Sequence, residues 1–540
     1  MNPSELIRAI CGLALTASAL AVEPSAQAAT PPGSRLPGKP NILFIMADDV
    51  GWGDFQCYNP QGKIPTPHID RLAREGMRFT DAHTPAALCA PTRYAVATGN
   101  YTWRGRLAGG TWGWNAKPQF LPGQKTVGHL LQDAGYRTGL FGKLHFGGEF
   151  EKKAGGGPDF SQPMQTGPRE WGFDYSYVLL GGHQGPPYMF FENNRVAGDP
   201  AQVTQLAAGP LNGGIVPVPG PGLPDWDSRR VGESLLEKAL AFIDQTSAKP
   251  FYIHLSTDGA HGPYTPPETL QGTPVKGASG MTPHTDMVHE VDVVVGKFVE
   301  ALEKRGLIEN TLIVVTSDNG GIPSDRAHGH DAVGGLRGSK SHIWEGGHRV
   351  PFVVSWRGRV PAGTVRHQVI GTHDIVPTFV ALGGGRLEPD QMLDSVSLAP
   401  VFLGQRGDDR PARQTLLIQS SPGRDALAER DPVLPKPAPG APKLTAKERQ
   451  AAMNKAWNEI AKKGAGSGSD GMAHALREGP WKLVFNIEHD KPAALYNLTD
   501  DLTEQKNLIA DAAQADRIRR MTQLYRDIRS SQRSTPSGSQ

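Results

Sequence analysis

The sequence predicts an α/β fold, and three observations carry that expectation. Residues 41–47 (N-I-L-F-I-M-A) and 311–316 (T-L-I-V-V-T) are continuous apolar runs, the pattern of strands buried on both faces. Between 285 and 305, Met287, Val288, Val291, Val294, Val295, Phe298, Val299 and Leu302 recur at helical spacing and turn one face to a core. Residues 126–143 read as a helix, a glycine stop and a strand, and alternation of this kind builds parallel sheets.

At 540 residues the chain is long enough for a large core and for two or more domains. With 56 Lys and Arg against 54 Asp and Glu, its net charge is +2. That excludes a nucleic-acid footprint and an acidic tail, so an anionic substrate has to be met by local positive charge. The 65 Gly and 46 Pro imply many loops, and so a pocket built from loops on a rigid frame. Arg8, the apolar stretch Ala9–Val22 and A-Q-A at Ala26–Ala28 read as a cleavable secretory signal over 1–28 of bacterial type, with export to a periplasmic or secreted location. The apolar stretch is too short to span a bilayer, and no later segment qualifies. Cys11 leaves with the signal, and Cys57 and Cys89 alone make no disulfide framework, although one bridge between them stays open.

Taken in order, the first apolar strand ends in Asp48 and Asp49, and the strand at 311–316 runs into Asp318 and Asn319. Asp-Asp and Asn-Gly are turn formers. Open α/β sheets collect ligands at strand ends, however, and four oxygen donors there suit a hard cation, Ca²⁺ or Mg²⁺. Residues 65–76 read as a loop and amphipathic helix leading to a strand at 77–82, with His68 and His83 as ordinary loop residues. Cys89–Gly99 (C-A-P-T-R-Y-A-V-A-T-G) reads as a helix with Pro91 in its first turn. Cys89 then lies at the helix N-terminus, where free N–H groups and the macrodipole favour an anion. Arg93, four residues on, returns to the same face. A buried cysteine beside a structural arginine is the other reading of this stretch alone.

Lys143 and His145, separated by one residue at a strand end, can face one pocket. A glycine-rich segment, 149–169, precedes G-G-H-Q-G around His183, and residues 198–224 read as a Gly/Pro-rich surface loop at the pocket rim. A helix and the strand F-Y-I-H-L-S-T lead to His261 in A-H-G-P-Y. H-G-H-D at 328–331 reads as a polar loop, with a transition-metal tract as the other reading. After about Gly404 the character changes: 424–471 is an insertion rich in Pro, Lys, Ala, Gly and Ser, 475–486 and 493–501 are hairpin-like strands, and a helix runs from Ala512 to Arg529.

The string G-M-R-F-T-D-A-H-T-P-A-A-L-C-A-P-T-R-Y-A-V-A-T-G resembles the sulfatase signature, C-x-P-x-R followed by a short helix ending in T-G. Thr92 stands where serine is commoner, and Ala97 where leucine usually precedes T-G. Other boxes follow in that family's order: G-K-L-H-F-G at 142–147, with Leu144 in place of tryptophan, A-H-G-P-Y at 260–264, and S-D-N-G-G at 317–321. L-R-G-S-K-S-H-I-W-E-G-G-H-R-V-P at 336–351 supplies the matching lysine, Lys340, while His342 and His348 stand where the family fixes nothing.

The resemblance covers Asn41 to about Ile528, apart from the Gly/Pro-rich insertions. It implies an alkaline-phosphatase-like fold: a large mixed β-sheet sandwiched by helices in a catalytic domain over 38–404, then a smaller C-terminal domain of antiparallel sheet plus helix over 405–530 and a disordered tail at 531–540. It implies hydrolysis of aryl or carbohydrate sulfate esters by formylglycine (3-oxoalanine), made from Cys89 by the formylglycine-generating enzyme. Asp48, Asp49, Asp318, Asn319 and the modified residue 89 would bind Ca²⁺, with Mg²⁺ as the alternative. Arg93 would hold the nucleophile, Lys143 and Lys340 would neutralise the transferring group, and His183 would reach the sulfate. His261 would protonate the leaving oxygen, and His145 would take the proton whose loss expels sulfate and restores the aldehyde. Two alternatives stay open: a phosphodiester or phosphonate monoester hydrolase of the same superfamily, whose two-zinc members commonly carry histidine where this chain has Asn319, and a catalytically silent sulfatase-like binding protein.

Overall fold

Seven consecutive apolar-run residues with no face left for water can only sit in the middle of a sheet, and Asn41–Ala47 (β1) does so with every residue buried. In the computed structural model, which describes residues 38–245, 249–388, 390–422, 471–486 and 491–531, β1 is the fifth of ten strands. The others are Met77–Phe79 (β2), Arg137–Lys143 (β3), Tyr175–Leu179 (β4), Phe191–Glu192 (β5), Arg195–Val196 (β6), Phe251–Ser256 (β7), Thr311–Ser317 (β8), Phe352–Ser355 (β9) and Thr364–Arg366 (β10). Their order is β10-β2-β9-β8-β1-β7-β3-β4-β5-β6. The centre, β8-β1-β7-β3-β4, is parallel. On the flanks β9 and β2 on one side and β5 and β6 on the other turn antiparallel, so the sheet is mixed.

The period of two along β1 divides the core. Leu43, Ile45 and Ala47 pack with Ile69 and Leu72 of helix Pro67–Glu75 (α1), Leu235 and Phe242 of Val231–Asp244, and Val291 and Phe298 of Pro283–Lys304. Ile42, Phe44 and Met46 pack on the other face with Val96 of Cys89–Thr98 (α2), Val127 and Leu130 of Val127–Asp133 (α3), and Val376 and Phe379 of Ile375–Leu382. We label Val231–Asp244 α4, Pro283–Lys304 α5 and Ile375–Leu382 α6.

Strands Thr415–Gln419 (β11), His474–Glu478 (β12), Trp481–Phe485 (β13) and Pro492–Asn497 (β14) form a separate antiparallel sheet in that order. Met521, Tyr525 and Ile528 of helix Ala515–Ser530 (α7) cover it, packing with Leu417, Leu476 and Leu483. The stretch 198–224 is more ordered than a rim loop: Thr204–Leu206 pairs with Gly220–Gly222 around an inner hairpin of Gly209–Leu211 and Gly214–Val216. The expected signal at 1–28, all but Gly471 of the insertion expected over 424–471, and all but Ser531 of the tail expected over 531–540 lie outside the described residues. Among the described residues no helix is long and apolar enough to cross a membrane.

Candidate active site

Parallel pairing in register sets Ala47 opposite Ser317, so the residues that follow β1 and β8 emerge side by side at the carboxyl end of the sheet. Asp48, Asp49, Asp318 and Asn319 are all buried there. Asp49 has φ of 63°, and its N–H donates to Asp318 Oδ1 at 3.3 Å. Asn319 Nδ2 donates to Asp49 Oδ1 at 2.8 Å. The turn formers at the two strand ends thus become one cluster of oxygens.

Helix α2 begins at Cys89 after an extended Leu88, and Gly99 at φ of 71° ends it with its N–H on the Ala95 carbonyl at 2.7 Å. All ten helical residues are buried. Arg93 Nη2 and Nε donate to Asp318 Oδ2 at 2.6 and 3.1 Å, Nη2 lies 3.3 Å from Asp48 Oδ2, and Nη1 donates to the Lys143 carbonyl at 3.2 Å. Lys143, the last residue of β3, places Nζ 2.5 Å from Asp48 Oδ2. Lys340 places Nζ 2.5 Å from Asp49 Oδ1, and His261 Nε2 lies 3.7 Å from Asp49 Oδ2. Cys89 Sγ lies 3.4 Å from His145 Nδ1. His183 stands behind this group: its Nε2 meets the His261 carbonyl at 2.8 Å, and its N–H donates to Asp258 Oδ1 at 3.2 Å.

Electrostatics follow from burial and from this crowding. Burial pushes the Asp48 carboxyl up, but Lys143, His261, Arg93 and Lys340 outweigh it and hold Asp48 well below the usual carboxylate range. Asp49 is lowered in the same way, with Lys340 and His261 overcoming its burial. Asp318 is pushed up to about 7 by burial and then by Asp48. Burial, then Lys340 and Lys143, lower His261 to about 4. Burial, then Lys143 and Arg93, hold His145 well below the usual imidazole value, so it is a neutral proton acceptor beside residue 89.

A hard cation fits this donor set. Asp48 Oδ1 and Asn319 Oδ1 are buried and have no hydrogen-bond partner, a costly state unless something else meets them. Asp48, Asp49 and His261 offer ligand atoms within 4.8 Å of one another. Three carboxylates and an amide oxygen are the chemistry of Ca²⁺ or Mg²⁺.

His83, Glu345 and His348 also bring ligand atoms within 4.8 Å. That group is already filled. Lys482 Nζ lies 3.1 Å from Glu345 Oε1 and 3.0 Å from His348 Nε2, and Arg477 Nη1 lies 3.2 Å from His83 Nε2. His83 is therefore no loop residue; it is wholly buried in an ion network joining β12 and β13 to the main body. The sequence showed this network only as isolated charges on unrelated segments. His330 is likewise held by Asp54 at 2.8 Å, while His328 is exposed. Cys57 and Cys89 are both free thiols.

A family model described as Sulfatase matches residues 40–385. The N-acetylgalactosamine-6-O-sulfatase of Bacteroides thetaiotaomicron is 30% identical over 420 residues, covering 71% of this chain and 79% of that protein. Arylsulfatase A of Homo sapiens is 32% identical over 396 residues, 71% of each chain. A solved structure bearing on the metabolism of multiple glycosaminoglycans by Bacteroides thetaiotaomicron superposes with a TM-score of 0.73 at 25% identity, covering 92% of this chain and all of that one. With its alkaline-phosphatase-like sheet and its strand-end oxygens beside Cys89, the chain belongs to the sulfatase family and hydrolyses sulfate esters.

Proposed function

We propose that the chain is an exported, Ca²⁺-dependent, formylglycine sulfatase acting on a sulfated carbohydrate, with Cys89 as the residue modified. The observation that carries this is Cys89 itself: a buried thiol at a helix start, within 3.4 Å of a neutral His145 and flanked by Arg93, Lys143 and Lys340. Burial raises its pKa, so as a thiol it is a poor nucleophile, and its setting suits a modified side chain better. Oxidised to formylglycine by the formylglycine-generating enzyme, residue 89 would supply as its hydrate the oxygen nucleophile, and a cation held by Asp48, Asp49, Asp318 and Asn319 would supply the charge that activates it.

The chain's own side chains do the rest. Arg93, fixed by Asp318 and the Lys143 carbonyl, anchors the α2 start. Lys143 and Lys340, each now on a carboxylate, bring positive charge to the anionic sulfate. His261, 22% exposed beside Asp49, is the group placed to give the leaving oxygen a proton. Its low pKa belongs to the free protein; the negative charge of a bound ester opposes Lys340 and Lys143 and raises it. His145 takes the proton from residue 89 in the second half-reaction. His183 holds the turn that carries His261 through the carbonyl contact, a more indirect part than direct reach to sulfate.

The carbohydrate assignment is supported by the similarity to an N-acetylgalactosamine-6-O-sulfatase. Export is supported by the 1–28 signal pattern. The domain division at 404/405 is supported by the separate β11–β14 sheet. The test is a mass measurement of the peptide spanning residue 89 in active enzyme, run beside sulfate release from sulfated sugars and from nitrophenyl sulfate. An aldehyde is expected; an intact, alkylatable Cys89 in fully active enzyme would sink the reading. Two tightly bound zinc ions, with cleavage of phosphonate monoesters, would move the chain to the phosphodiesterase-like alternative.

A further inference from the structure

The turn that carries His261 also carries an aromatic ring in contact with solvent. Tyr264 lies three residues on and is the most exposed Phe, Tyr or Trp among the described residues, at 38%. Aromatic faces left in water gain free energy when a second apolar face covers them. The ring is held in place from one side: its centroid lies 4.9 Å from that of the His284 ring, at an interplanar angle of 60°. His284 is itself buried and fixed, with Nδ1 2.7 Å from Asp325 Oδ2, and Asp325 Oδ1 accepts from the Thr282 hydroxyl at 2.7 Å. On the Gly262 side the space is open. A Cβ on Gly262 would meet the Tyr264 ring at 3.7 and 3.8 Å and, its chain neighbours aside, nothing else within 4 Å.

The same ring borders the reaction. Partial burial, then Asp49, push its phenol up to about 12, with Lys340 opposing, so the phenol end lies in the field of the strand-end cluster. His261 Nδ1 meets the Gly262 carbonyl at 2.7 Å. Its Nε2, 3.7 Å from Asp49 Oδ2, is then the nitrogen left to serve the leaving oxygen. Gly262 and Tyr264 are the next surface of that turn.

We propose that the Tyr264 ring is the platform on which the leaving group stacks a ring of its own. Naming that ring a sugar rests on the carbohydrate reading above. The C–H groups on one face of a pyranose make an apolar surface about as large as a phenol ring, and an aromatic side chain buries it without a directed hydrogen bond. Because His284 already orders Tyr264, little freedom is lost on binding. The contact is remote from the bond that breaks between sulfur and the leaving oxygen, so it is made alike in the bound substrate and in the transition state. It therefore sets KM and the choice of leaving group, while kcat stays with the residues around Cys89.

The test is steady-state sulfate release by full-length, active enzyme from sulfated sugars and from nitrophenyl sulfate, with inhibition by inorganic sulfate as the control. Tyr264→Ala is expected to raise KM about 10-fold on either ring-bearing substrate, with kcat held within about 2-fold. The inhibition constant of inorganic sulfate, which has no ring, should not move. Tyr264→Phe keeps the ring and should restore the wild-type KM. An unchanged KM in Tyr264→Ala, shown to be folded by circular dichroism, would overturn the proposal. Equal losses in the Ala and Phe variants would overturn it too, by giving the part to the hydroxyl. So would a matching rise in the sulfate inhibition constant, which would place the disturbance at Lys340 and Asp49. Wild-type enzyme that cleaves nitrophenyl sulfate but no sulfated sugar would instead overturn the carbohydrate reading, and the KM of Tyr264→Ala on nitrophenyl sulfate would still decide the platform.

Discussion

The segment from Lys340 to Arg349 serves two buried clusters that look alike in composition and differ in how they are satisfied. At one end Lys340 joins Asp48, Asp49, Asp318, Asn319, Arg93 and Lys143 around Cys89. At the other, Glu345, His348 and Arg349 join Asp81, His83, Arg477, Lys482 and Glu504. Both set three carboxylates against three permanent cations. In the second cluster each acid is met by cations of the chain: Lys482 by itself reaches Glu345 at 3.1 Å and Glu504 at 2.8 Å. Burial raises the Glu345 carboxyl, yet Lys482 and Arg349 hold it well below the usual range. Glu504 Oε1 also lacks a hydrogen bond but is met by Lys482, whereas in the first cluster Asp48 Oδ1 and Asn319 Oδ1 have neither a hydrogen bond nor an ion pair among the described residues. Protein interiors rarely leave a buried acceptor unmet, so the surplus, not the histidine count, separates a site that takes a ligand from one that ties elements together.

Substitutions on both sides of that contrast probe it, beginning with the largest effect. Cys89→Ala should lower kcat by about 10⁴-fold or more, because catalytic units of this kind fail as a whole when the nucleophile is lost. Melting temperature should stay within a few degrees, since the Sγ makes a single polar contact, with His145. A large loss of stability would mean that the first cluster is structural after all.

His261→Ala is expected to act through the leaving group. A sugar alkoxide needs a proton and a nitrophenolate does not, and general acid catalysis is worth about 10²–10⁴-fold. The loss in kcat/KM should reach that range on sulfated sugars and shrink towards unity on nitrophenyl sulfate. Lys143→Ala and Lys340→Ala should slow both substrates by similar factors if, as proposed, both residues serve the sulfate that all substrates share. Equal losses for His261→Ala along a series of leaving groups of graded pKa would reduce it to a positioning role.

Lys482→Met should do the reverse of Cys89→Ala. It strips the cation from buried Glu345 and Glu504, and breaking a buried ion network from one side costs about 3–5 kcal/mol. Chemical denaturation reads that loss. Activity per folded molecule should be retained, as Lys482 touches none of the residues around Cys89. A fall in kcat matching the fall in stability would show that the two clusters are coupled through 340–349.

Much of this was readable because it was local. Two apolar strands, each running into oxygen donors, foretold the donor cluster, and Pro91 with Gly99 foretold the limits of α2. The antiparallel flanks of the sheet were not readable from the residues alone, because pairing of β9 with β8 and β2 depends on contacts remote in sequence. The second cluster escaped for the same reason: Glu345, Lys482 and Glu504 are single charges on separate segments, and each reads as a solvated side chain until the fold buries it. Helix α5 shows the limit of periodicity. Its apolar stripe correctly marked a core face, yet α1 and α4 pack against it as well, so Glu290 and Asp292 on its polar side are buried too.

Asp292 gives the smallest expected effect and a case between the two clusters. Helix α1 starts at Pro67 after Thr66, whose side chain makes no capping bond. Asp292 does that work from α5: Oδ1 accepts from the Ile69 N–H at 2.8 Å and Oδ2 from the His68 N–H at 3.3 Å. It is met by N–H groups but by no cation. Burial raises its carboxyl to about 7, against the pull of the two N–H donors. Because the folded value lies above the unfolded one, the folded protein holds the proton more tightly. The stabilisation is complete below the unfolded pKa of about 3.9 and is lost as pH climbs through about 7. One proton gives a slope of up to about 1.4 kcal/mol per pH unit, or about 2 kcal/mol between pH 5 and 7. Asp292→Asn keeps an acceptor for Ile69 and removes the titration, so its stability should fall less over that range than that of wild type. Denaturant midpoints at graded pH measure this. Parallel curves would mean that Asp292 stays ionised when folded, with the α1 N-terminus alone supplying what Lys482 supplies to Glu345.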